Sequence, residues 1–264
     1  MHHAQSSIPF FHTLADRAGE VILPLFRSDL SVSTKTADGE DGFDPVTEAD
    51  RKAEQAMRRL INEHYPDHGI LGEEFGAENL DADYVWVLDP IDGTRAFISG
   101  LPLWGVLIGL RHQGSPAVGM VAQPYLGERF FGDASGSFLQ RGGETVPIRT
   151  RPCPAISEMT LSTTSPNMFS GEEWQRFEAV SGQAKLVRYG YDCYAYAMLA
   201  MGFIDCVIEA GLGVYDIEPI VPIIEGAGGC VTDWSGNRKQ GPGQAVALGD
   251  KSLLEPVLEI LSGG

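Results

Sequence analysis

The run Tyr84 to Leu88, YVWVL, constrains the fold more than any other five residues, because it is apolar throughout and stops at a carboxylate. A short unbroken run of β-branched and aromatic residues reads as a buried strand. It leads directly into L-D-P-I-D-G-T, Leu88 to Thr94, which places Asp92 three residues after Asp89. Pro90 fixes the backbone between the two acids. Gly93 permits a close approach of main chain to a ligand, and Thr94 stands where a helix or tight turn can begin. Two carboxylates at a strand's end can share hard cations, which prefer oxygen ligands, and the carbonyl of Ile91 offers one more oxygen. The N–H groups of Gly93 and Thr94 would face an anion placed before the turn. A bare D-x-x-D-G is an ordinary turn. What adds weight here is company: Glu73 and Glu74 follow the short run Leu71-Gly72, and Asp216 ends a loop after a strand carrying Glu209.

The remaining pattern places these acids on a scaffold. Phe11, Leu14, Ala15, Ala18, Val21, Ile22 and Leu25 mark one face of an amphipathic helix. Ser28 to Asp44, rich in Ser, Thr, Asp and Gly, is expected to be a mobile loop. Thr47 is the predicted N-cap of a helix, with Asp50 closing a capping box and Pro66 just beyond the helix end. Strands are expected at Leu103 to Leu110, Ala117 to Ala122, Glu128 to Gly132 and Ser137 to Leu139, with Gly114 and Pro116 at a turn. Beyond about Glu158 strands and helices alternate, including one helix from Ile217 to Gly226 and another from Cys193 to Met201. Antiparallel strands first and alternating elements later imply an α/β chain with an α+β N-terminal half, built as layered sheets and helices. The predicted break lies near Thr150 to Pro154, dividing residues 1–150, which carry most candidate ligands, from residues 151–264, which carry the last ligand and the substrate pocket.

Charge narrows the chemistry. The formal net charge is −17, which makes nucleic acid and anionic membranes poor partners. A phosphorylated substrate would be repelled unless cations concentrate at the site, and lysines and arginines are few; bound metal ions are the natural remedy. No apolar run approaches the roughly 20 residues of a membrane span. The four cysteines form no C-x-x-C pair and read as reduced thiols of a cytoplasmic protein. The six histidines show no metal-binding spacing; His64 and His68 flank a proline turn, and His2 and His3 lie in the N-terminal tail. A cysteine-phosphatase pocket, a G-x-S-x-G elbow and a Walker lysine loop are missing from the sequence, and the D-x-x-D spacing of Asp89 and Asp92 is not the D-x-D of aspartyl-phosphate enzymes.

Four segments, D-P-V-T-E-A-D (Asp44 to Asp50), G-E-E (Gly72 to Glu74), L-D-P-I-D-G-T (Leu88 to Thr94) and Y-D-I-E-P-I-V-P-I-I-E-G-A-G-G (Tyr215 to Gly229), occur in this order. In them the chain resembles the inositol monophosphatase-like metal-dependent phosphatases. The resemblance implies an α-β-α-β-α sandwich, usually a homodimer, using two or three Mg2+ ions. It implies Glu73, Asp89, Asp92 and Asp216 as metal-binding side chains, with Glu73 also catalytic and Ile91 giving its carbonyl. It further implies Thr94 and Asp50 as the pair orienting the attacking water, and Lys35 in the mobile loop near a weakly held metal. Hydrolysis would then proceed by direct attack of water, with no covalent intermediate.

Two stretches resemble the histidinol-phosphatase branch: R-A-F-I-S-G-L-P-L-W-G, Arg95 to Gly105, and G-Y-D-C-Y-A-Y, Gly190 to Tyr196. The branch assigns Gly190 and Tyr191 to the substrate pocket, although Tyr191 stands where glycine is expected. A pocket for L-histidinol phosphate must receive an ammonium and an imidazole, and Asp192 and Glu209 offer the acceptors. Asp192 is equally placed to be an N-cap, and Glu209 would also suit a polyol hydroxyl, so inositol 1-phosphate is the alternative substrate. A non-catalytic binding protein of the same fold is a remote third reading.

Overall fold

The computed structural model describes residues 7–29, 32–34 and 45–263. The chain opens with helix α1 (Ile8–Ile22), whose apolar stripe Phe11, Leu14, Ala15, Ala18 and Ile22 is fully or almost fully buried. Helix α2 (Glu48–His64) begins as its sequence predicts: Thr47 accepts from the Ala49 N–H at 3.1 Å, and the Thr47 N–H donates to Asp50 at 2.8 Å. Such caps contribute about 1 kcal/mol. The two helices lie side by side on one face of a large sheet.

That sheet has eight strands in the order β10-β9-β8-β7-β6-β5-β3-β4. They are β3 (Gly69–Gly72), β4 (Gly76–Glu78), β5 (Tyr84–Asp92), β6 (Gly105–His112), β7 (Ser115–Gln123), β8 (Glu128–Asp133), β9 (Gly136–Arg141) and β10 (Glu144–Ile148). All neighbours are antiparallel except β3 and β5. The period of two sorts the side chains: Val106, Ile108 and Leu110 join α1 and α2, whereas Leu107 points to the opposite face.

On that opposite face lie helices α5 (Asp192–Ala200), α6 (Val214–Ile217) and α7 (Val221–Gly226), and beyond them a second sheet. It has five strands in the order β12-β11-β13-β15-β14, namely β11 (Thr160–Thr163), β12 (Leu186–Tyr189), β13 (Cys206–Leu212), β14 (Cys230–Thr232) and β15 (Gly243–Leu248). Val207, Ala245 and Ala247 face the central helices, while Ile208, Val246 and Leu248 face an outer layer. That layer is formed by α4 (Gly171–Ser181) and α8 (Leu254–Leu261), through Phe177, Val180, Val257 and Leu261. The molecule is therefore the expected α-β-α-β-α stack. The central layer lies so close to the first sheet that a Cβ on Gly119 would fall on the Pro219 carbonyl, and one on Gly132 would lie 2.8 Å from the Ile223 Cα.

Several boundaries differ from the sequence reading. The helix expected from Ile217 to Gly226 is two helices, because Pro219 and Pro222 cannot donate to a continuous ladder. Pro116 lies inside β7, and the turn uses Gln113 and Gly114, both at positive φ. The segment expected to be a loop from Ser28 to Asp44 contains a strand, β1 (Val32–Thr34), paired with β2 (Pro45–Thr47). Lys35 lies outside the described residues. Strands β4 and β10 are edge strands too exposed to show an alternating pattern. Trp104 is fully buried but precedes β6. All strands of the larger sheet come from Gly69 to Ile148 and all strands of the smaller from Thr160 onward.

Candidate metal centre and substrate cavity

The carboxylates converge where β5 ends. Its pairing with β6 shifts register between Asp89 and Asp92, which turns both acids toward the cavity side of the strand end. The loop is held by its own side chains: the Ile91 N–H donates to Asp89 Oδ1 at 3.0 Å, and Thr94 Oγ1 donates to the Ile91 carbonyl at 3.2 Å. Gly93 has φ 82°, a conformation that favours glycine, and leads into the short helix α3 (Thr94–Ile98). Glycine is needed there for a second reason, since a Cβ would stand 3.1 Å from the Asp192 side chain.

Asp216 arrives from the central layer of helices. It lies in α6, which packs on β5 and β6, and its Oδ2 accepts from the Gly213 N–H at 2.7 Å. One ligand atom from each of Asp89, Asp92 and Asp216 lies within 4.8 Å of the others. Glu73 follows β3, beside β5; its N–H donates to the Leu88 carbonyl at 3.1 Å and its carboxyl is hydrogen-bonded to Asp89. Asp92 is pinned by the first turn of α5, whose Cys193 N–H donates to its Oδ2 at 2.6 Å.

Burial drives the Asp89 carboxyl well above the usual carboxylate range, and the negative charges of Glu73, Asp92 and Asp216 push the same way. Asp92 is raised too, by burial and then by Asp192 and Asp216. Carboxylates this close, with oxygen ligands aimed at one point, fit a hard divalent cation, and such an ion would reverse the direction of these shifts. Asp50 is 1% exposed, and burial likewise raises it. Thr47 holds its Oδ2, at 2.5 Å from the hydroxyl, while its Oδ1 has no hydrogen-bond partner among the described residues. Helix α3, which Thr94 begins, packs against β2, which Thr47 ends.

The acids line one end of a cavity of about 730 Å³. Gly190, Asp192 and Glu209 line it too, with Arg95, Thr164, Ser165, Asn167 and Met168. Asp192 adopts φ 44° as the first residue of α5, so it is not the N-cap; that position is Tyr191. Burial pushes Asp192 up to about 6, against the opposing charge of Arg95. Glu209 lies within β13 and is buried. One of its oxygens accepts from the N–H and hydroxyl of Thr164, at 2.9 and 2.6 Å, and the other from the Tyr196 hydroxyl at 2.7 Å. Burial nevertheless raises Glu209 to about 7.

Tyr191 does not line the cavity: its hydroxyl accepts from Arg188 at 2.6 and 2.8 Å, on the exposed side of the turn. Thr164 and Glu54, to which the sequence reading gave no role, matter here, and so does Tyr196. Thr164 and Tyr196 hold Glu209, and Glu54 supports the loop of Glu73. The hydroxyl-rich stretch Ser162 to Ser165 at a strand end was the only local signal for the first.

The sequence profile of the inositol monophosphatase family matches residues 3–262. A chloroplastic bifunctional phosphatase of Arabidopsis thaliana is 45% identical over 261 residues, covering 95% of this chain and 73% of that protein. A histidinol-phosphatase of Chlorobaculum parvum is 33% identical over 260 residues, covering 95% of each. Among solved structures, an inositol monophosphatase from Zymomonas mobilis superposes with a TM-score of 0.86 at 40% identity, covering 98% of each chain.

Proposed function

The chain belongs to the inositol monophosphatase family of phosphatases, and from that premise we propose that it is an Mg2+-dependent hydrolase of L-histidinol phosphate, acting in histidine biosynthesis. The observation that carries the substrate assignment is Asp192, an acidic group on the wall of the same cavity that the acid cluster lines, to which Glu209 adds a second. The alcohol released from histidinol phosphate bears an ammonium and an imidazole, and acidic acceptors complement both. The likeness to a histidinol-phosphatase over nearly the full length supports the same choice.

Glu73, Asp89, Asp92, Asp216 and the Ile91 carbonyl would hold two or three ions. Bound there, the ions supply charge neutralisation at the phosphate oxygens and make water more acidic. The chain's own groups do the rest. The N–H groups of Gly93 and Thr94, at the start of α3, orient the phosphate. Asp50, fixed by its capping box, and the Thr94 hydroxyl orient the water for direct attack, with Glu73 beside them. Asp192 and Glu209 orient the leaving alcohol. A homodimer in the cytoplasm completes the reading; among the described residues no helix is long and apolar enough to cross a membrane.

Inositol 1-phosphate is the second reading, favoured by the Zymomonas mobilis structure and by Glu209, which would accept equally from a polyol hydroxyl. Phosphate release from the two substrates, side by side with Mg2+ and with chelator, separates them. We expect Mg2+-dependent preference for histidinol phosphate, and Asp192→Ala should raise its KM more than that of inositol 1-phosphate. Preference for the polyol would overturn the substrate assignment while leaving the metal cluster in place.

A further inference from the structure

Glu54 is fully buried in α2 and has no place in the reaction described above. It lies one helical turn beyond Asp50 and one before Arg58, so the three share a face. That face looks onto the β3–β4 hairpin, whose tip carries Glu73. Glu54 Oε2 accepts from the Glu74 N–H at 2.7 Å, and Oε1 accepts from the Phe75 N–H at 3.2 Å and from Arg58 Nε at 2.8 Å. Arg58 then reaches past it, donating to the Gly76 carbonyl at 2.5 Å and to Glu78 at 3.2 Å. The main chain of Glu74, Phe75 and Gly76 is thus held from α2, and Glu73 itself is tied to Leu88.

Gly72 fits the same device. A Cβ there would fall on the Glu54 carboxylate and lie 2.8 Å from Arg58 Nη2. The β4 arm of the hairpin has little other support, since it is a three-residue edge strand exposed throughout. A buried ion pair contributes less to stability than an apolar contact of the same volume, but it fixes geometry through directed hydrogen bonds.

We propose that Glu54 is a positioning residue, which grips the Glu74 and Phe75 N–H groups so that the Glu73 carboxylate stands against Asp89 and sets the affinity for a divalent cation between them. The proposal rests on the metal-dependent reading of the acid cluster. It does not depend on which phosphate ester is hydrolysed.

The test is calorimetric titration of Mn2+ into the chelator-stripped full chain, with folding of each variant checked by thermal melting. Glu54→Gln removes the charge and Gly72→Ala displaces the carboxylate without removing it. Each should weaken Mn2+ binding roughly 10- to 100-fold, as loss of a partner that orients a ligand does. Glu78→Gln, which breaks only the outer contact of Arg58, should stay within about twofold of wild type. Should Glu54→Gln fail to fold, Gly72→Ala decides alone. Wild-type affinity in a folded Glu54→Gln or Gly72→Ala chain overturns the proposal and leaves the clamp a stability device. A wild-type chain that binds no Mn2+ overturns both the proposal and the metal reading beneath it. Mn2+ binding without hydrolysis of histidinol phosphate would leave the positioning role standing and remove only the substrate.

Discussion

Glu54 and Asp89 are both buried, and α2 packs directly on β5, yet their surroundings differ in sign. Around Glu54 stand a guanidinium and two backbone N–H groups. Asp205 and Glu218 are treated the same way, by Arg151 at 2.6 Å and Arg111 at 2.5 Å. Among the described residues, the charges that act on Asp89 are those of Glu73, Asp92 and Asp216, all acidic. Burying a charge costs several kcal/mol unless a partner compensates it. The first kind of site meets that cost within the chain and is architecture. The second has no such partner among the described residues, which makes the end of β5 a site for a cation from solution.

The largest expected effect breaks the second site. Asp92→Asn removes one ligand and keeps the loop's shape and the acceptor for the Cys193 N–H. Turnover should fall by more than roughly 100-fold, since even partners that only orient a ligand cost 10- to 100-fold. The metal-free variant should melt no lower than the metal-free wild type, because a repulsive charge has gone. Activity near wild type, or a collapse in melting temperature, would place Asp92 with the architectural acids.

How far these two kinds of site were legible follows from how local their causes are. YVWVL, the D-x-x-D-G turn and the capping box at Thr47 act over a few residues, so sequence reading located β5, Asp89, Asp92 and Asp50 together. The amphipathic stripe of α1 likewise carries its own period. Glu54 was passed over because its acceptors' partners lie 20 residues away, and Thr164 because its bond to Glu209 spans 45. Nothing near Tyr191 announces that Arg188 draws it away from the cavity. The prolines at 219 and 222 did carry the signal that splits the last central helix, and an apolar run across them outweighed it. Edge strands β4 and β10 lack the alternation that a half-buried strand leaves in a sequence.

A smaller effect sharpens the same contrast through stability. A carboxyl whose folded pKa is raised contributes stability that is present below its unfolded pKa and lost as pH rises through the folded value. Asp89, Asp92 and Asp192 are all raised, so the metal-free chain should melt lower at pH 7.5 than at pH 5.5. At pH 7.5, Mg2+ at a thousand times its Kd should restore about 4 kcal/mol, or roughly 10 °C in a chain of this size. Calorimetric melting with and without the ion checks both. An opposite pH trend, or no shift with Mg2+, would mean that the cluster is already compensated from within.

The smallest effect concerns Glu209, which belongs to neither kind of site. It has three hydrogen-bond donors from two side chains and one backbone group, no guanidinium among its bonded partners, and a pKa raised to about 7. Its contribution should therefore be intact below about pH 4.5 and fade as pH rises to about 7, by on the order of 2–3 kcal/mol. Urea unfolding of the metal-free chain at pH 5 and pH 8 measures that fall, and Glu209→Gln should reduce it by the same amount. In turnover the sign reverses its use: the ionised form above pH 7 is the one that accepts a cationic alcohol. The KM for histidinol phosphate should rise as pH drops from 8 to 6 in the wild type, and less so in Glu209→Gln. If the variant keeps the wild-type slope in both measurements, the three donors already satisfy Glu209 as fully as Arg58 satisfies Glu54, and it joins the architecture.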